Sequence, residues 1–198
     1  ALVVPYDSPV TTVPTFINHV KYTTKPISIA AGSGAHKLAY NYVANQLKLN
    51  GDLIKTVSYK GPAQAVLAVA AKEVEYGILP VAVAQTMTQS NKVRILAIFS
   101  EQKLSQLPHT PLMHDYVAGA NVYAAWGIIL PKGTPKEVVD WYVKTFADAI
   151  RSPDAQRFFN NNLMFSVESE LTPRGFENSM KQLRKQWIPI LASLPVDQ

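Results

Sequence analysis

Along the first half of the chain, short apolar runs alternate with stretches whose apolar positions recur every three or four residues. The first six residues read as an apolar strand around Leu2-Val3-Val4. Thr12 then caps a short helix with Pro14 in its first turn and Phe16, Ile17 and Val20 on one face. Ile27-Ser28-Ile29-Ala30-Ala31 is a buried strand running into Gly32-Ser33-Gly34-Ala35-His36, and Leu38, Ala39, Tyr42, Val43 and Leu47 follow at helical spacing until Asn50-Gly51. Leu53 to Tyr59 predicts a second such strand, Pro62 opens an Ala-rich helix ending near Lys72, and Val74 to Leu79 is the next strand. A helix near 81–89 and the strand Val93 to Phe99 complete the series. Repeated strand–helix alternation predicts a mainly parallel, doubly wound sheet with helices on both faces.

The pattern then changes. Leu107 to Gly119 reads as a loop with one helical turn, and Val122 to Leu130, containing Trp126-Gly127, as another apolar strand. Thr134-Pro135-Lys136-Glu137 reads as a capping box with proline at the first helical position, starting a helix that buries Val138, Val139, Tyr142, Phe146, Ala149 and Ile150. Ser152-Pro153 starts a further helix that Asn160-Asn161-Asn162 ends, Phe165-Ser166-Val167 reads as a short strand, and Thr172-Pro173 begins a helix striped with Phe176, Met180, Leu183, Trp187, Ile190 and Leu191. Helices with such wide apolar faces need a partner surface, and this half of the chain supplies hardly any sheet.

Composition narrows the function classes. An apolar content of 47% with 17% charged residues is that of a globular chain, and no apolar run reaches the length of a membrane span. The segment from Ala1 to Asp7 has no basic n-region or cleavage site, so if the gene product carries an export signal, it is expected to have been removed ahead of this segment. The net charge of +5 is scattered, and its tightest cluster, Lys181, Arg184 and Lys185, lies on the polar face of a helix, so no nucleic-acid partner is expected. The absence of cysteine excludes disulfides, thiol catalysis and Cys-ligated metal.

The strongest local chemistry is Ala31-Gly32-Ser33-Gly34-Ala35-His36, at a strand's carboxyl end and a helix's start. Small residues there let backbone N–H groups face outward, the helix dipole adds partial positive charge, and Ser33 adds a hydroxyl, which together suit a carboxylate or phosphate. A plain glycine turn has the same letters. A dinucleotide fingerprint lacks its third glycine, where Lys37 stands, and a nucleophile elbow would need glycines where Ala31 and Ala35 stand. Ser58-Tyr59-Lys60-Gly61-Pro62 is a second strand end opening a helix, with Tyr59 able to stack or donate and Lys60 to supply charge, or else a solvated surface turn. Trp126-Gly127 reads as a cleft wall or as core. His109, His114 and Asp115 follow no metal-ligand spacing, and no acid/base pair is identifiable, so neither metal, cofactor nor catalysis is expected.

The order of these pieces resembles the extracytoplasmic substrate-binding proteins of tripartite tricarboxylate transporters, the Bug family. The resemblance rests on Ser8-Pro9 with Thr12, on Ala31-Gly32-Ser33-Gly34-Ala35-His36-Lys37-Leu38-Ala39, on Ser58-Tyr59-Lys60-Gly61, on Arg94-Ile95-Leu96-Ala97-Ile98 with Leu107-Pro108-His109-Thr110-Pro111, and on Trp126-Gly127 with Pro131-Lys132-Gly133-Thr134-Pro135. It implies an α/β fold of the periplasmic-binding-protein, Venus-flytrap type, with a ligand clamped between two lobes. Ser33, Gly34, Ala35 and His36 match the second lobe's ligand loop, Tyr59 and Lys60 the neighbouring turn, and Trp126 the return crossing. A complete lobe with its hinge strand is expected over 1–126, and the return crossing with the C-terminal part of the first lobe over 127–198.

The family's Pro-Ala-Gly-Gly loop has no match here, so one whole lobe and a remnant of the other are expected, from truncation, proteolysis or a shortened variant, and half a cleft should bind weakly. Ser58, His109-Thr110 and Ala71-Lys72-Glu73-Val74-Glu75 also depart from the family pattern and bear on ligand identity. The expected function is a periplasmic, non-enzymatic receptor for a small organic carboxylate serving membrane permease subunits. A sensory protein presenting the liganded lobe to a receptor is the alternative, and the extra apolar surface favours self-association.

Overall fold

The computed structural model describes residues 1–123 and 125–192, apart from the side chain of Asp52. The described residues fall into two compact units, Ala1–Ala124 and Ala125–Gln198.

The first unit contains β1 (Leu2–Pro5), α1 (Val13–Tyr22), β2 (Ile27–Ala31), α2 (Gly34–Gln46), β3 (Ile54–Ser58), α3 (Pro62–Ala70), β4 (Tyr76–Ile78), α4 (Val81–Thr88) and β5 (Val93–Ala97). These strands form one sheet in the order β3-β2-β4-β1-β5. β2 runs parallel to β3 and β4, whereas β1 is antiparallel to both β4 and β5. Four strands therefore share one direction, and the chain's first strand is inserted against them.

Side-chain alternation along the strands builds two cores, one on each face of the sheet. Leu2, Val4, Ile27, Ile29, Tyr76 and Ile78 point into one, with Val13, Phe16 and Val20 of α1 and Ala39, Tyr40 and Val43 of α2. Val3 and Ala30 point into the other, with Ala65, Val66, Ala68 and Val69 of α3 and Ala84 of α4. Helices thus cover both faces, as the alternating pattern requires. Thr12 caps α1 as expected. Its hydroxyl accepts from Thr15 N at 3.3 Å, while the Thr15 hydroxyl accepts from Thr12 N at 3.0 Å. α2 stops at Gln46, ahead of Asn50-Gly51, and Lys48 takes a left-handed φ of 52° to turn the chain.

The second unit holds α5 (Lys136–Arg151), α6 (Pro153–Asn161) and α7 (Pro173–Ala192). Three expectations fail in and around it. The described residues of 122–130 form no strand. Ile128 and Ile129 are 54% and 91% exposed, because an apolar run becomes a strand only where another strand offers a ladder. Phe165-Ser166-Val167 is likewise irregular and leads into a short 3-10 turn over Glu168–Glu170. No capping box forms at Thr134. Pro135 occupies the N-cap position, the helix begins at Lys136, and the Thr134 hydroxyl donates to Pro131 O at 2.7 Å. Ser152 does cap α6, accepting from Ala155 N at 3.3 Å. Most of the apolar stripe residues expected to be buried are not. Among the described residues of this unit only Ala147 and Trp187 are buried apolar side chains.

Candidate ligand site

Because β2, β3 and β4 are parallel neighbours, their carboxyl ends lie on one sheet edge, and each runs directly into a helix. α2 packs on one face of the sheet and α3 and α4 on the other. Chains that diverge to opposite faces leave a crevice at the strand ends, which is where open α/β sheets take ligands.

The first two loops touch. Tyr59 N donates to Ala31 O at 3.2 Å, extending the β2–β3 ladder to the loop. A β-carbon built on Gly32 would stand 2.8 Å from the Pro62 Cα and 3.0 Å from its nitrogen, so only glycine allows the two turns to meet. The third loop, Leu79-Pro80, enters α4 alongside, and Ala1 N donates to Leu79 O at 2.6 Å.

At the start of α2, Ser33 is the N-cap residue in an extended conformation, and its side chain makes no capping bond. His36 N and Lys37 N donate to Ser33 O at 3.1 and 3.3 Å, so the first turn leaves the Gly34 and Ala35 amides without intrahelical acceptors. Ser33, Gly34 and Ala35 are exposed and His36 is half-buried. The Ser33 hydroxyl instead lies 3.1 Å from His36 Nδ1. If that nitrogen accepts, the hydroxyl is engaged and Nε2 carries the proton. If it donates, the hydroxyl proton is free. Either tautomer leaves one donor for an anion. Burial pulls the His36 imidazole down to about 4, so at neutral pH it acts as a neutral hydrogen-bonding group.

At the second loop Lys60 is exposed and Tyr59 half-buried, and the Tyr59 phenol is pushed up by burial and then by the negative charge of Glu73. The structure therefore brings together Ser33, Gly34, Ala35, His36, Tyr59 and Lys60 on one edge. Trp126 belongs to the second unit, is 72% exposed, and lines an apolar groove there. Among the described residues no group of three or more His, Asp or Glu side chains could hold a metal ion. Leu79-Pro80, the third loop of the edge, was missed in the sequence; its signal is a proline directly after an apolar strand.

The His36 arrangement has a pH consequence. An imidazole held at about 4, below its ordinary 6.5, is kept neutral by the fold. The stability it carries is complete above 6.5 and lost as the pH falls toward 4. The denaturant midpoint of the chain is expected to drop across that window, and His36→Gln is expected to flatten the drop. An unchanged slope in the variant would assign the pH dependence to other groups.

The family model described as the tripartite tricarboxylate transporter family receptor matches residues 1–181. A protein of Cupriavidus necator, the UPF0065 protein in the gbd 5' region, is 24% identical over 159 residues, which is 77% of this chain and 46% of that protein. The structure of the periplasmic binding protein BugD superposes with a TM-score of 0.76 at 25% identity, covering 96% of this chain and 64% of that one. MatC from Rhodopseudomonas palustris with bound malate superposes with a TM-score of 0.76 at 16% identity, covering 96% and 65%. The chain thus spans about half the length of the curated relative and under two thirds of the BugD chain. The fold is that of periplasmic binding proteins, and by its match over residues 1–181 the chain belongs to the tripartite tricarboxylate transporter receptor family.

Proposed function

We propose that this chain is an extracytoplasmic solute receptor that captures a small organic carboxylate for a transporter of the tripartite tricarboxylate type. The observation that carries this reading is the edge where the α2 and α3 starts touch through Gly32 and Pro62, with the α4 start beside them. Carboxylate oxygens accept from the Gly34 and Ala35 amides and from the donor that the Ser33–His36 pair leaves over, while Lys60 supplies long-range attraction. Unpaired amides at a helix start are preorganised: they need no rearrangement when the anion arrives. The malate bound in MatC and the family itself support a carboxylate as the ligand class. The Ser33–His36 contact serves in this reading as a hydrogen-bond donor to the anion, so the chemistry proposed is binding and release.

The test is a calorimetric titration of small dicarboxylates, malate among them, against their diamides. Binding of the acids that weakens on raising the salt concentration, with none of the amides, is expected. Lys60→Gln should weaken it by about two- to fivefold, the range for an exposed charge. Equal binding of acids and amides, or none of either, would overturn the reading.

A further inference from the structure

The basic residues of the first unit are scattered along its sequence but gathered in its fold. β2, β3, β4 and β5 share one direction and each follows a helix, so the ends of α1, α2, α3 and α4 lie with these strand starts, at the sheet edge opposite the carboxylate site. β1, running the other way, finishes at the same edge. Of the ten Lys and Arg in residues 1–124, seven stand on these connections or on the first two residues of a strand: Lys21, Lys25, Lys48, Lys55, Lys72 and Lys92, with Arg94. Against them stand Asp7, Asp52, Glu73 and Glu75, so this amino edge carries a net charge of +3. Two of those acids are already engaged, Asp7 by Lys72 at 2.5 Å and Glu75 by the Ser28 amide at 3.0 Å.

Cations also offset the helix dipole, an effect confined to the last turn, which accounts for Lys21 in α1. Lys25, Lys55, Lys92 and Arg94 lie beyond those turns. Lys48 and Lys72 hold left-handed φ angles of 52° and 61°, where glycine or asparagine is the less costly occupant. Two exposed tyrosines share the edge, each beside a cation. Lys21 Nζ is 5.7 Å from the centre of the Tyr22 ring, and the Arg94 guanidinium 5.3 Å from that of Tyr6. Tyr22 is 71% and Tyr6 44% exposed. The residue types decide the kind of partner. Six of the seven cations are exposed lysines, flexible point charges, whereas protein interfaces favour arginine and are depleted in lysine. Mobile cations with flanking tyrosines suit a fluid layer of negative headgroups, which asks for no fixed carboxylate geometry and takes tyrosine at its boundary with water.

We propose that the amino edge of the first unit, through Lys25, Lys92, Arg94 and Tyr22, docks on the anionic phospholipid surface of a membrane. β2 is five residues long, so at about 3.3 Å per residue the carboxylate edge lies roughly 17 Å away, and docking leaves it uncovered by the lipid. The proposal does not rest on the ligand reading of that edge. Vesicles of phosphatidylglycerol and phosphatidylcholine in equal parts are expected to sediment the 198-residue chain at low salt and to release it at high salt, while phosphatidylcholine alone leaves it in solution. Lys25→Gln and Lys92→Gln should each weaken the binding about fivefold, the effect of one cation near such a surface. Both side chains are exposed, so the circular dichroism of the variants should match that of the parent chain. Lys103→Gln, exposed in the segment after β5, is the control and should leave vesicle binding unchanged. No sedimentation at low salt, equal sedimentation with neutral vesicles, or the same loss in Lys103→Gln as in the edge variants would overturn the proposal. So would tighter binding of soluble polyglutamate than of the anionic vesicles, which would assign the edge to an acidic protein.

Discussion

Gly32→Val is expected to abolish carboxylate binding and to lower stability by about 1–3 kcal/mol, the usual cost of overpacking. The position leaves no room: its β-carbon would meet the Pro62 Cα at 2.8 Å and the Pro62 nitrogen at 3.0 Å, both backbone atoms that no rotamer change moves aside. Relief requires the β2–α2 and β3–α3 turns to separate. Separation breaks the Tyr59 N to Ala31 O bond of 3.2 Å and carries the Gly34 and Ala35 amides away from Lys60. Gly51→Ala is the matched control, since nothing lies within 4 Å of a β-carbon there and the residue sits ahead of β3, at the other end of that strand. Calorimetry and denaturant unfolding on the pair separate the two effects. Retained binding in Gly32→Val would show that the loop apposition is not what holds the ligand.

Phe16→Ala should cost about 3–5 kcal/mol, the largest stability loss expected of a single side chain here. Phe16 is 1% exposed, and its ring packs edge-on against Tyr76 at 5.0 Å. Tyr76 is itself 1% exposed, lies on β4, and has its hydroxyl 2.5 Å from His19 Nδ1. Removing the Phe16 ring leaves a cavity between α1 and the middle strand of the sheet that rigid neighbours fill only in part. The first unit is expected to unfold at a clearly lower denaturant concentration, with an unchanged slope if the transition remains two-state. A loss below about 1 kcal/mol, in the range of surface substitutions, would mean that α1 is not part of the cooperative core.

Much of the first unit is legible in its sequence because its elements are short and strongly patterned. Ile27 to Ala31, a buried apolar run bounded by Pro26 and Gly32, admits little but a central strand, and Thr12 with Pro14 marks a helix start that the Thr12–Thr15 bonds complete. The Gly32-Ser33-Gly34-Ala35-His36 loop was legible as an anion cradle or a plain turn. What the sequence could not show is which loop lies beside it. That depends on β2 pairing with β3, a contact between residues 27 positions apart such as Ile27 and Ile54, and the close approach of Gly32 to Pro62 appears only once the sheet is assembled. The Ser33–His36 pairing was equally hidden, since the letters alone do not say whether the two side chains meet.

The two strand misreadings in and around the second unit share a physical cause. Val122 to Leu130 and Phe165-Ser166-Val167 carry the apolar letters of strands, but a strand is a pairing, and the described residues of this unit contain no ladder for them. Helix periodicity survives without a partner because its hydrogen bonds are internal. α5, α6 and α7 were therefore readable, while the burial expected for Val138, Phe146 and their neighbours was not. At Thr134 the letters of a capping box were present, yet Pro135 took the N-cap position and the hydroxyl turned back to Pro131 O.

The central claim is that a carboxylate sits on the touching helix starts of the first unit, and amide chemical shifts report that contact directly. Titrating malate into the isotopically labelled chain is expected to move the amide signals of Gly34, Ala35 and His36, with Lys60 and Gly61 following, while α7 stays still. Shifts confined to other residues, or a spectrum unchanged at saturating malate and equally unchanged with other dicarboxylates, would contradict it.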